Sequence, residues 1–159
     1  MFVLWKTRQE ILTAMDVLFD TLKKQYDLDQ FYVVGIPTAC LMFLNDLLPY
    51  FQHHDCKIDL AFRKNKQTFE IPKKDKSVLC LVDTVYDTGK TLNTLYETYK
   101  NQYESIIGIV CVKRYNSPQP KFPLYSLFEF PKDNWLVGYG LDFEDSDYRW
   151  LQHLYYFEN

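Results

Sequence analysis

The chain has 159 residues, the length of one ordinary domain able to bury a single substantial core. A formal charge of -3 leaves no basic footprint for nucleic acid, and no apolar run is long enough to span a bilayer. Trp5-Lys6-Thr7-Arg8 interrupts any signal-peptide pattern and the four cysteines lack metal-type spacing, so a cytoplasmic protein with reduced thiols is expected, with no nucleic-acid or membrane partner.

Thr7 and Glu10 have the spacing of a capping box, and Ile11, Ala14, Met15, Leu18 and Leu22 then recur at helical spacing. Phe31 to Ile36 reads as a buried strand, Pro37-Thr38-Ala39-Cys40 as the loop after it, and Leu41 to Leu48 as a mostly apolar helix closed by Pro49. His53 and His54 have no third ligand in register and read as a polar helix end. Lys57 to Phe62 is strand-like. The stretch 63–76 is short and polar with alternating β-type residues at its centre, which predicts a hairpin, its lysines solvated. Ser77 to Val82 is a continuous apolar run, as in a strand buried on both faces, and Leu92, Leu95, Tyr96 and Tyr99 follow at helical spacing. Cys80 and Cys111 fall inside core strands. After Lys113 the pattern changes to Pro118, Pro120, Pro123 and aromatics, which suits a long loop feeding a small hood. There Tyr148-Arg149-Trp150 and Tyr155-Tyr156-Phe157 are expected to pack over the site or in a dimer interface. The alternation of helix and strand predicts one α/β domain over 1–159: a mainly parallel central sheet flanked by helices, with the hood at about 114–159.

The chemistry concentrates where the strand at Val82 turns into a helix near Asp87. At a helix start the first N–H groups lack partners and the dipole is positive, so Thr88, Gly89, Lys90 and Thr91 form a nest for a dianionic phosphate. Gly89 lets the backbone approach closely, and the Thr88 and Thr91 hydroxyls add donors. Asp83 and Asp87 lie at the C-terminal end of the strand, where open α/β sheets bind ligands. Three readings compete. Asp87 is a plain helix cap and Asp83 a strand-end residue; or Gly89-Lys90-Thr91 ends a P-loop, although Thr84 stands where that motif needs glycine; or acids hold ribose hydroxyls while the turn holds a 5-phosphate. Only the third uses every residue.

Val82, Asp83, Val85, Asp87, Thr88, Gly89, Lys90 and Thr91 resemble the signature of the type I phosphoribosyltransferases: an apolar strand, two acids, two mostly apolar residues, Asp or Ala, Thr, Gly and a hydroxyl residue. Val110 to Arg114, then Asn134 to Phe143, then Tyr148-Arg149 are similar to the end of hypoxanthine-guanine phosphoribosyltransferases. The resemblance implies the type I phosphoribosyltransferase fold and transfer of 5-phosphoribosyl from phosphoribosyl diphosphate to hypoxanthine, guanine or xanthine in purine salvage, with Mg2+. It also implies a homo-oligomer, dimer or tetramer. Asp83, Thr84, Thr88, Gly89, Lys90 and Thr91 would hold ribose and phosphate, and Asp87 would take the purine proton. Lys113 would donate to the exocyclic oxygen, Trp135 would stack on the base and the Leu136 backbone would read its edge. Asp142 and Asp83 would meet the metal, and Arg149 with Pro37, Thr38, Ala39 and Cys40 the pyrophosphate.

Three departures accompany it. Thr84 stands in the place of the second acid and accepts less charge-assisted bonding than an aspartate. The pyrophosphate loop, usually Leu-Lys-Gly-Gly or similar, has Thr38 for the lysine and larger residues for both glycines, while Pro37 removes a donor. The lid is reduced to the short 63–76 stretch. These departures suit a second class of protein on the same fold, a non-catalytic module that binds the diphosphate sugar or a nucleotide. They also suit a transferase with another base or ribosyl donor.

Overall fold

The structure, a computed structural model, describes all residues except Gln67, Lys132, Asp145, Ser146 and Asn159. In chain order the elements are β1 (Phe2–Lys6), α1 (Arg8–Gln25), β2 (Phe31–Gly35), α2 (Leu41–Phe51), β3 (Lys57–Leu60), β4 (Phe62–Arg63) and β5 (Phe69–Glu70). They continue with β6 (Val78–Tyr86), α3 (Lys90–Tyr99), β7 (Ser105–Arg114), β8 (Leu124–Phe130), β9 (Leu136–Val137) and β10 (Leu154–Phe157). Among the described residues no helix is long and apolar enough to cross a membrane.

Five strands pair in the order β3-β2-β6-β7-β8, every neighbouring pair parallel. Alternation along each strand feeds two cores. Phe31, Val33, Val78, Cys80, Val82, Ile107 and Ile109 face α1 and α2, while Tyr32, Val34, Leu79, Leu81, Ile106 and Val110 face α3 through Leu92 and Leu95. The expected capping box starts α1: the Thr7 hydroxyl accepts from the Glu10 N–H at 3.2 Å and the Glu10 carboxylate accepts from the Thr7 N–H at 2.8 Å. The hairpin expected in 63–76 is the antiparallel β4–β5 pair, which starts one residue earlier at Phe62; Gln67 within it lies outside the described residues.

Three features differ from the sequence expectation. α2 runs through Pro49 to Phe51, because Phe51 is buried against Phe19 at a ring distance of 5.1 Å and that packing outweighs the lost bond to the Asn45 carbonyl. The hood is a three-stranded antiparallel sheet, β1-β10-β9, so it draws on the N-terminus as well as on the C-terminal third. Finally β8, inside the 114–159 span assigned to the hood, joins the edge of the large parallel sheet. Edge-to-face contacts of Phe2 with Phe143, Tyr148 and Phe157 at 5.4, 4.8 and 5.6 Å hold β1 to the hood.

One buried acid ties helices to hood. Asp46 on α2 accepts from the Arg8 guanidinium at 2.6 and 3.0 Å and from the Tyr139 hydroxyl at 2.7 Å. Burial alone would raise its carboxyl; the Arg8 and Tyr139 bonds outweigh burial and hold it below the ordinary range. Asp46→Ala strands both donors and is expected to cost about 2–3 kcal/mol in urea unfolding at neutral pH. Because the folded-state value is depressed, this contribution is present above the unfolded carboxyl value and fades as pH falls through the folded one. Equal urea midpoints for parent and variant at pH 7 would contradict the assignment.

Candidate active site

β6 continues four residues past Val82 before the chain turns into α3, and the turn is built on Gly89. Gly89 has φ +73°, and a Cβ there would stand 2.4 Å from the Tyr86 hydroxyl and 2.7 Å from Asn93 Nδ2. Those two side chains hydrogen-bond at 3.0 Å behind the turn, so a larger residue would open it. The result is a cavity of about 120 Å³ lined by Asp83 and residues 85–92, including Asp87, Thr88, Gly89, Lys90 and Thr91. The first-turn N–H groups of α3, which lack carbonyl partners within the helix although the Lys90 N–H reaches the Thr88 hydroxyl at 3.4 Å, and the positive end of its dipole favour an anion here.

Asp83 lines this cradle, half-buried, and accepts the Thr84 N–H at 2.7 Å. Burial pushes its carboxyl up to about 7, with the Thr84 N–H pulling the other way. Thr84, expected beside it as a ribose ligand, does not line the cavity. Strand alternation turns its fully buried side chain to the opposite face, where the hydroxyl donates to the Ala39 carbonyl at 2.7 Å. That is a correction to the sequence assignment, and its cause is the continuation of β6 to Tyr86.

A second cavity of about 150 Å³ adjoins the first and is lined by Val85, Asp87, Arg114, Trp135, Leu136, Leu141 and Asp142. Val85 and Asp87 belong to both. Trp135 is 57% exposed, and its indole N–H donates to the Asp142 carbonyl at 2.7 Å. An outer recess of about 380 Å³ beside Trp135, Asp142, Phe143 and Glu144 opens from it. Lys113 lines neither of the two inner cavities; the structure puts its neighbour Arg114 there. The Arg114 Nε lies 3.4 Å from an Asp87 oxygen, its Nη1 donates to the Asn134 carbonyl at 3.0 Å, and the guanidinium stands 5.6 Å from the Phe130 ring centre. Arg114 thus spans the cradle and the Trp135 segment. The only sequence signal for it is its place beside Lys113 at the end of a strand, where adjacent side chains face opposite ways.

The third wall is the 37–40 loop with the hood turn. Thr38 is exposed, Pro37 and Ala39 are half-buried and Cys40 is buried. The Pro37–Thr38 peptide is cis. Burial, with the Asp83 charge nearby, pushes the Cys40 thiol up to about 12, so it is not a nucleophile at neutral pH. Arg149 reaches in from the hood: it donates to the Gly140 carbonyl and to the Asp142 carboxylate, both at 2.6 Å. Among the described residues no three His, Cys, Asp or Glu side chains cluster to hold a metal alone. Asp142, with a side chain 40% exposed at the cavity wall, suits Mg2+, which takes one or two carboxylates and completes its shell from substrate oxygens and water. A larger cavity of about 320 Å³ between Arg8, Met42, Asp46 and Trp150 contains none of the cradle acids, and its one acid is already paired with Arg8 and Tyr139.

The raised Asp83 value has a sign that unfolding reads out. The fold binds this proton more tightly than the unfolded chain, so the group's contribution is greatest below about pH 4 and is lost as pH rises through about 7. Asp83→Asn is expected to be more stable than the parent above pH 7, on the order of 2 kcal/mol once water at the cavity mouth is allowed for, with the gap closing toward pH 4. A gap independent of pH would show that Asp83 ionises normally.

Residues 6–144 match the phosphoribosyl transferase domain. The hypoxanthine-guanine phosphoribosyltransferase of Lactococcus lactis is 26% identical over 93% of this chain and 86% of its own length. That of Mycoplasma genitalium is 28% identical over 79% and 78%. In fold, the hypoxanthine phosphoribosyltransferase of Trypanosoma cruzi in complex with the product IMP superposes with a TM-score of 0.79, at 19% identity, covering 95% of this chain and 87% of that one. With the domain match spanning the cradle, both cavities and the parallel sheet, the chain belongs to the phosphoribosyltransferase family.

Proposed function

We propose that the protein transfers 5-phosphoribosyl from phosphoribosyl diphosphate to a 6-oxopurine, hypoxanthine, guanine or xanthine, giving the purine nucleoside 5′-monophosphate and pyrophosphate. The observation that carries this reading is the sharing of Asp87 by the phosphate cradle and the Trp135 cavity, which puts one carboxylate between a phosphate subsite and an aromatic-walled subsite. The hypoxanthine-guanine phosphoribosyltransferases among its relatives support the choice of base class.

In this reading Thr88 to Thr91 hold the 5-phosphate and Asp83 accepts from the ribose hydroxyls. The base lies against Trp135 with its edge at the Leu136 backbone, and Arg114 provides a cationic donor at the end of β7. Arg149 and the Thr38 and Ala39 N–H groups receive the pyrophosphate. Mg2+ at Asp142, when bound, neutralises charge on the diphosphate oxygens. As the bond from C1 to pyrophosphate breaks, the sugar gains positive charge; Asp87 stands where it stabilises that charge and takes the proton released from the purine nitrogen. Arg114, 3.4 Å away, orients the Asp87 carboxylate.

A binding-only module is the second reading, favoured by the turning away of Thr84, which leaves Asp83 alone for the ribose. The two separate in one assay: protein, Mg2+, phosphoribosyl diphosphate and each of the three bases, followed by nucleotide formation. Turnover is expected with at least one, and Asp87→Asn should lower kcat about a hundredfold while nucleotide affinity stays within a few-fold. Nucleotide binding without turnover on any base would select the binding module; unchanged kcat in Asp87→Asn would remove that residue from the chemistry.

A further inference from the structure

Two of the departures from the family pattern, Thr84 and the 37–40 loop, meet at one atom. The Ala39 carbonyl oxygen accepts the Thr84 hydroxyl at 2.7 Å. On its other side it is closed in by Gly140, whose φ is +99° and where a Cβ would stand 1.9 Å from that same oxygen. The Gly140 carbonyl in turn accepts from Arg149 at 2.6 Å. The Cys40 N–H of the same peptide group donates to the Ile36 carbonyl at 3.4 Å and the Thr38 carbonyl accepts from the Leu41 N–H at 3.2 Å, whereas among the described residues the Thr38 and Ala39 N–H groups make no hydrogen bond. Thr84 also donates its own N–H to Asp83 at 2.7 Å. One buried residue therefore touches the ribose acid with its backbone and the loop with its side chain.

We propose that Thr84 is a positioning residue for pyrophosphate: its hydroxyl pins the Ala39 carbonyl and so holds the Thr38 and Ala39 N–H groups toward the leaving group in a loop that lacks glycine. The proposal rests on the transferase reading above. An ionised acid at position 84 would set a carboxylate against the Ala39 carbonyl, acceptor against acceptor, so Thr84 and this loop form a matched pair. Val at 84 keeps the shape and removes the donor; Ser keeps the donor.

The test compares parent, Thr84→Val and Thr84→Ser for pyrophosphate in the presence of Mg2+ and for IMP, which carries base, ribose and 5-phosphate but no pyrophosphate. Thr84→Val is expected to weaken pyrophosphate about tenfold or more, and to raise KM for phosphoribosyl diphosphate with little change in kcat. IMP affinity should stay within about twofold, and Thr84→Ser should behave as the parent. Equal pyrophosphate affinity in parent and Thr84→Val would overturn the proposal, as would a parallel loss of IMP, which marks general damage. If Thr84→Val does not fold, Thr84→Ala takes its place. Failure of both with a native Thr84→Ser would make the hydroxyl a stability element only and also overturn it. A parent that binds neither IMP nor pyrophosphate would instead sink the transferase reading.

Discussion

The parallel pairing of β6 with β2 on one side and β7 on the other is the constraint from which the site follows. Register couples Gly35 to Val82, Asp83 to Val110 and Tyr86 to Lys113, so the ends of three strands reach the same edge of the sheet. The loop after β2 brings residues 37–40, the turn after β6 brings Asp83 to Thr91, and the end of β7 brings Lys113 and Arg114. Parallel strands all deliver their C-terminal ends to one side, and there the helix that follows β6 points its positive end into the cleft. Residues far apart in sequence become one cleft because the loop, the turn and the strand end all leave the same edge of the sheet.

The hood completes that cleft by a different route. Its three antiparallel strands join the two termini, and Met1 donates to the Glu158 carbonyl at 2.7 Å to close the sheet. This sheet and its loops supply Trp135, Leu136, Asp142 and Arg149, with the Trp135 indole bonded to the Asp142 carbonyl and Arg149 to its carboxylate. Two buried contacts fix its height over the parallel sheet: Tyr139 to Asp46 on α2, and Gly140 against Ala39 in the loop. Both bear on the wall that would receive pyrophosphate, so the stability of the hood and the geometry of that subsite are coupled.

What the sequence disclosed and what it hid divide along physical lines. The turn from Asp83 to Thr91 was legible because each part demands a residue type: an apolar run for a doubly buried strand, glycine for φ +73°, hydroxyls and bare N–H groups for an anion. Trp135, Leu136, Asp142 and Asp87 line one cavity. Thr84 and Arg114 did not follow the family pattern, because a pattern aligns positions whereas a strand sends successive side chains to opposite faces. The hood strand Phe2–Lys6 left no local trace, since its partner Leu154–Phe157 lies at the other end of the chain. Pro49 misled for the reverse reason: a local stop signal yielded to the packing of Phe51 on Phe19 and Phe31.

The central claim is that the cradle and the Trp135 cavity are two halves of one site with Asp87 between them. A crystal structure with a purine nucleoside 5′-monophosphate tests it most directly. The account predicts the phosphate on the Thr88 to Thr91 backbone, the ribose hydroxyls on Asp83, the base against Trp135 and Leu136, and Asp87 within hydrogen-bond reach of the base. A nucleotide with its phosphate in the cradle but its base turned away from Trp135, or one bound instead between Arg8 and Trp150, would contradict it.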